Sequence, residues 1–290
     1  MFSIIIPTWN NLEFLKLAIT SIRQNSVYNH QILVHVNDGG DGTLDWINNY
    51  LNADKNLLFT HSQDNIGICY AVNRVSSLAN QKYIVYLNDD MVVLPDWDKN
   101  LLHAADKLSN KMFMLSSTMV EPRQTKNPCV VIADYGTNAE NFQQKVLIDN
   151  LDKHKRSDWL GSTWPPTLVP KWLWDDVGGY STEFSPGMSS DNDFTMKLWH
   201  AGCRIFAGIG DSLVYHFGCI STGRIVKNNG RKQFLHKWGI SQKDFDKICL
   251  QRGKSTLREE AIKEIDLTDK QLKALKIAKL KAKFRIIFRD

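Results

Sequence analysis

Tyr83-Ile84-Val85-Tyr86-Leu87-Asn88-Asp89-Asp90-Met91-Val92-Val93-Leu94 sets an apolar run on either side of a polar, acidic turn. A short apolar run bounded by turn residues reads as a buried strand. Two adjacent carboxylates between apolar strands repel each other unless something positive sits with them. A hard divalent cation prefers such oxygen ligands, while an exposed acidic turn between two strands is the competing reading.

The same grammar occurs three times upstream. Residues 2–6 form an apolar run ended by Pro7, residues 32–36 open into Asn37-Asp38-Gly39-Gly40-Asp41-Gly42, and residues 57–61 lead to Asp64-Asn65. Helical faces lie between them. Asn10 is expected to cap the first helix, with Glu13 completing a capping box, and Leu12, Leu15, Ile19 and Ile22 share one side of it. Leu44, Ile47 and Leu51 mark a second helix, and Ile68, Val72, Val75 and Ala79 a third. Strand–helix alternation predicts an α/β fold with a mostly parallel sheet and helices on both faces. Ligands of such sheets bind beyond the carboxyl ends of the strands. There Asp38, Asp64-Asn65 and Asn88-Asp89-Asp90 converge, although a lone Asp38 is also an ordinary turn residue.

The second half is less regular. Residues 117–165 read as loops with an antiparallel excursion. A helix starting near Asp191 carries Phe194, Leu198 and Ala201. Residues 204–207 and 213–215 read as two short strands, and helices follow at 233–238, 242–249 and from about residue 269.

Composition narrows the class. The chain has 290 residues, 43% of them hydrophobic, enough for a substantial core. A net charge of +5 is too small to imply nucleic-acid binding, and much of it sits in Lys270, Lys273, Lys276, Lys279, Lys281, Lys283, Arg285 and Arg289. The five cysteines, Cys69, Cys129, Cys203, Cys219 and Cys249, are scattered and form no CxxC pair. That argues against a disulfide framework or structural zinc and for reduced thiols in the cytoplasm. No run approaches the roughly 20 apolar residues of a membrane span, and the N-terminus lacks a signal-peptide pattern. A soluble or peripheral protein is expected.

In the order Ser3-Ile4-Ile5-Ile6-Pro7-Thr8-Trp9-Asn10, Val36-Asn37-Asp38-Gly39-Gly40-Asp41-Gly42-Thr43, Asn65-Ile66-Gly67 running on to Asn73, Leu87-Asn88-Asp89-Asp90, Val177-Gly178-Gly179-Tyr180, Ser190-Asp191-Asn192-Asp193-Phe194 and Tyr215-His216-Phe217-Gly218, the chain resembles the family 2 glycosyltransferases. The resemblance covers about residues 1–220. It implies a GT-A fold over residues 1–222, with a helical C-terminal extension over 223–290. It also implies an inverting transferase that moves a hexosyl group from a nucleotide-sugar, a UDP-sugar by default, to an acceptor hydroxyl on a glycan or glycolipid.

Roles follow residue by residue from that resemblance. Pro7, Thr8 and Asn10 would line the nucleotide pocket, Asp38 would contact the base or ribose, and Asn65 and Gly67 would close over the nucleotide. Asn88-Asp89-Asp90 stands where the family carries DxD. Asn88 would face the ribose and Asp89 the donor, while Asp90, with His216, would hold Mn²⁺ or Mg²⁺. Asp191 matches the catalytic base, although a helix N-cap competes for it. Asp193 would share the proton-accepting role or bind the acceptor. Family members often carry Glu where this chain has Ser190. Trp164, Trp172 and Trp174 are platform candidates for an acceptor sugar, against core packing as the alternative. Ile277, Leu280, Phe284, Ile287 and Phe288 share one face of the basic terminal helix. That helix either packs with a solvated basic face or lies on the inner membrane surface.

Three rival readings compete with this one. A dinucleotide-binding oxidoreductase needs a GxGxxG turn after the first strand, and Pro7-Thr8-Trp9-Asn10-Asn11 has no glycine. A nucleotidyltransferase would carry a Gly-rich basic loop at the same place. A catalytically degenerate sugar-nucleotide binder is suggested by Asn88 and opposed by Asp90, Asp191 and His216.

Overall fold

The computed structural model describes residues 1–50, 54–218, 221–256 and 262–288. Leu51, Cys219 and Arg289, named above, lie outside them. The strands are β1 (Phe2–Trp9), β2 (Gln31–Asn37), β3 (Leu57–Ser62), β4 (Tyr83–Tyr86), β5 (Met91–Val93), β6 (Phe113–Glu121), β7 (Val130–Ile132), β8 (Trp159–Leu160), β9 (Thr167–Pro170) and β10 (Ile205–His216). The helices are α1 (Leu12–Asn25), α2 (Thr43–Tyr50), α3 (Ile68–Ser76), α4 (Trp97–Lys107), α5 (Gln144–Asp149), α6 (Lys171–Asp176), α7 (Ser190–His200), α8 (Gly230–Trp238), α9 (Gln242–Asp244) and α10 (Asp269–Phe288).

A single sheet runs in the order β3-β2-β1-β4-β9-β6-β10-β5, with β7 beside β6 and β8 beside β10. Its first four strands are parallel. Beyond β4 the sheet is mixed, because β9 runs antiparallel to both its neighbours and β5 antiparallel to β10. The period of two in β1 sends alternate side chains to opposite faces. Ile4 and Ile6 pack with Leu15, Ile19, Trp97 and Leu101 of α1 and α4. Ile5 packs with Val72, Val75, Phe194 and Leu198 of α3 and α7 on the other side.

Three expectations are corrected. The first helix is not capped by Asn10: Asn11 holds the cap position without a side-chain bond. The Leu12 amide donates instead to Asp41 Oδ2 at 2.9 Å, and Glu13 pairs with Lys16 rather than forming a capping box. Residues 113–121, partly read as loop, form the long buried strand β6, whose three hydroxyl residues find buried partners far along the chain. The two short strands read at 204–207 and 213–215 are one strand, β10, whose register shifts between Ile209 and Leu213. Gly208 and Gly210 interrupt the apolar pattern because a Cβ at either would strike the Trp159 ring or the Arg156 backbone, the close approach for which strand glycines are used.

The C-terminal helices pack back onto the sheet. Phe234, Ile240, Phe245, Leu250 and Ala278 belong to the same cluster as Ile5 and Phe194, so the core continues across position 222. Cys69, Cys129, Cys203 and Cys249 are buried free thiols.

Candidate active site

Strand register assembles one corner of the site. In the antiparallel β5–β10 pair His216 lies opposite Met91, so the His216 ring arrives beside Asp90. The Phe217 amide donates to the Asp90 carbonyl at 3.2 Å. In the parallel β6–β10 pair Tyr215 lies opposite Val120, which brings Glu121 alongside as well. Glu121 Oε1 stands 2.7 Å from His216 Nδ1, across 95 residues of chain. His216 Nε2 faces Asp90 Oδ1 at 3.5 Å.

This corner suits a divalent cation. His216 Nε2 is buried and has no hydrogen-bond partner among the described residues, while Glu121 fixes the other ring nitrogen, as outer-shell carboxylates do for ligating histidines. Burial on its own would lower the His216 pKa. The charge of Asp90, with Glu121 behind it, outweighs burial and holds it up at about 10. A ring nitrogen and a carboxylate facing each other in a buried site call for positive charge, whether a proton or a metal ion. Among the described residues no group of three His, Cys, Asp or Glu side chains forms a metal cage. Mg²⁺ and Mn²⁺ need none where one or two protein ligands are completed by substrate phosphates. Asp89 is also pushed up, first by burial and then by the charge of Asp90.

Asp191 enters from the other side. It stands in the first turn of α7, but Ser189 occupies the cap position, in the left-handed region at φ 70°, so the N-cap reading of Asp191 is not what the structure shows. Its Oδ1 accepts a 2.9 Å hydrogen bond from the Tyr180 hydroxyl. Burial raises its pKa to about 6 against the opposing pull of that bond. Tyr180 is itself clamped. Its amide donates to Asn73 Oδ1 at 2.8 Å and its carbonyl accepts from Asn73 Nδ2 at 2.7 Å, and its ring stacks on Phe194. Gly179 precedes it at φ 58°, where a Cβ would collide with Asn73 Oδ1. Asn73 and the Gly178-Gly179-Tyr180 turn thus aim one hydroxyl at one carboxylate.

Both corners open into one cavity of about 480 Å³. Of the residues expected in the site, Pro7, Thr8, Asn65, Gly67, Asn88, Asp89, Asp90, Trp164, Asp191 and His216 line it. The Asn65–Gly67 loop is pinned by Asn37, which accepts from the Ile66 amide and donates to the Thr8 carbonyl. Gly67, at φ 78°, is crowded by Ser185 and Pro186, so its lack of a side chain serves the chain's own close packing. Trp164 is backed by the Arg252 guanidinium, 4.0 Å from its ring.

Five expected residues are not among those lining the cavity. Asp38 and Asn10 bond to each other at 2.8 Å, and Asp38 also accepts from the Gly40 amide. Trp174 is buried against Phe194 and Tyr180, so core packing accounts for it. Trp172 is 50% exposed on the outer side of α6. Asp193 is fully buried and pairs with Lys237 at 2.9 Å and with Trp238. Two residues along a helix point nearly opposite ways, so Asp191 and Asp193 cannot share one cavity. The sequence reading missed Glu121 and the Asn73–Tyr180 relay. It also missed Arg224, which donates to the Trp9 and Asn10 carbonyls and lies over the Trp9 ring. Glu121 was legible only as the charged end of an apolar run, and its partner was not.

Residues 3–144 match the family model described as glycosyl transferase family 2. That match lies within the N-terminal half of the chain, to which the likeness to the family belongs. The chain is 24% identical over 237 residues to the chondroitin synthase of Escherichia coli, an alignment covering 74% of the chain and 34% of the relative. It therefore spans about a third of that relative's length. Its fold is shared by S. aureus TarS 1-349 in complex with UDP-GlcNAc, with TM-score 0.61, 14% identity, and coverage of 82% of this chain and 65% of that one. GalNAc-T7 with UDP, GalNAc and Mn²⁺ is similar at TM-score 0.58 and 14% identity, covering 84% of this chain and 49% of that one.

Proposed function

We propose that the chain transfers a hexosyl group from a nucleotide-sugar, a UDP-sugar by default, to a hydroxyl of a glycan or glycolipid acceptor, with inversion at the anomeric carbon. The observation that carries this reading is that Asp191 faces the same cavity as Asn88-Asp89-Asp90 and His216. The UDP-GlcNAc bound to TarS and the UDP bound to GalNAc-T7 favour a UDP-sugar.

Asp90 and His216 would hold a divalent cation, which supplies positive charge against the leaving diphosphate. Pro7, Thr8, Asn65 and Gly67 form the wall for the nucleoside, and the Asn88 amide can hydrogen-bond a ribose hydroxyl without adding charge. Asp191 takes the proton of the acceptor hydroxyl while that oxygen bonds to the anomeric carbon. The bond from that carbon to the diphosphate breaks on the opposite face, and its electron pair leaves with the diphosphate. A carboxylate raised to about 6 is still ionised near neutral pH and holds a proton more strongly than a solvated one, as a general base requires. Tyr180 fixes one oxygen, leaving the other for the acceptor. Trp164 offers an apolar face for the acceptor sugar.

The test is hydrolysis of a panel of nucleotide-sugars with Mn²⁺, with and without EDTA. The expected result is slow turnover of one donor that stops on chelation. No turnover with any donor, or turnover undiminished by EDTA, overturns the reading.

A further inference from the structure

We infer that α10 docks the protein onto an anionic lipid surface through its outer face. The helix runs from Asp269 to Phe288, and among the described residues no helix is long and apolar enough to cross a membrane. Ala278 and Ala282 are buried, and Ala278 packs with Leu275 beneath the helix against the C-terminal part of the core. At 3.6 residues per turn the opposite side carries Ile277, Leu280, Phe284, Ile287 and Phe288. Their exposures are 54, 56, 54, 58 and 74%, and the Phe284 and Phe288 rings stack on each other. A solvent-facing helix side is normally polar; this one presents the large apolar groups, while small alanines face the core.

The charges say what covers it. Lys276, Lys279 and Lys283 flank one edge of the outer stripe, and Lys281 and Arg285 the other, while Asp269 is the helix's acid. An apolar stripe bordered on both sides by long cationic side chains fits the boundary of a bilayer. Acyl chains take the stripe, and the ammonium groups reach up to anionic headgroups. A polyanion such as nucleic acid would match the lysines but leave the stripe in water.

The experiment is sedimentation of the full chain with vesicles of phosphatidylcholine alone or mixed with phosphatidylglycerol, at two salt concentrations. We expect binding to the mixed vesicles that is weaker at high salt and at least about tenfold weaker on phosphatidylcholine alone. Phe284→Ser with Phe288→Ser should lower binding by about tenfold or more. Lys276→Gln, Lys279→Gln and Lys283→Gln together should lower it comparably on mixed vesicles only. These side chains are exposed, so melting temperature should stay unchanged in every variant. Equal binding to both vesicle types, no binding to either, or binding indifferent to loss of the phenylalanines overturns the inference. So does a dimer in solution that disappears with Phe284→Ser and Phe288→Ser, because the stripe would then be covered by a second copy.

Discussion

Asp191 carries two opposed consequences of one environment. Burial raises its pKa to about 6, which strengthens it as a base and costs stability. As pH rises from its unfolded pKa of about 3.8 towards 6, the unfolded chain releases the proton first, so this group's penalty to folding grows, and it is complete above about 6. Asp191→Asn should therefore raise the melting temperature by a few degrees at pH 8 and leave it unchanged below about pH 4, as calorimetry at the two pH values would check. The same variant should retain donor binding and lose at least about 10²-fold in transfer rate. In the native enzyme, transfer should fall as pH drops through about 6. Tyr180→Phe removes a hydrogen bond that favours the ionised carboxylate, so the acid limb of its pH–rate profile should move to higher pH. An unmoved limb would leave Tyr180 a purely structural role.

At the scale of elements, strand ends and loops do the positioning. The loop before α3 works because Gly67 adopts φ 78° in contact with Ser185 and Pro186. Gly67→Ala meets both obstacles at once and should destabilise the fold by about 1–3 kcal/mol and weaken donor binding, readable by thermal melts and nucleotide titration. The strands of the first half were legible because parallel, doubly covered strands are written as apolar runs. β6 and the middle of β10 were not, because their polar and glycine residues are satisfied only by neighbours distant in sequence.

Across the whole molecule, the C-terminal helices complete the core rather than hang from it. Removing residues 223–290 would uncover the cluster shared by Ile5 and Phe194 with Phe234, Phe245 and Leu250. It would also take away Arg252, which backs Trp164. The truncated chain should lack a cooperative melt and aggregate, as size-exclusion chromatography would show. A monodisperse, cooperatively melting fragment would mark 1–222 as an independent unit.

Local chemistry in the sequence was enough for the alternation of strands and helices and for the acidic turn at Asn88-Asp89-Asp90. It was enough, too, for the positions of Asp191 and His216 near the ends of elements. Periodicity and turn composition act over a few residues and can be read without coordinates. Partnership could not be read. Whether His216 meets Asp90 and Glu121 depends on the registers of β10 with β5 and β6. Whether Asp191 rather than Asp193 faces the cavity depends on the rotation of α7 against Tyr180 and Lys237. A one-residue slip in strand register reverses which face a side chain occupies, and only the packed tertiary structure settles that choice.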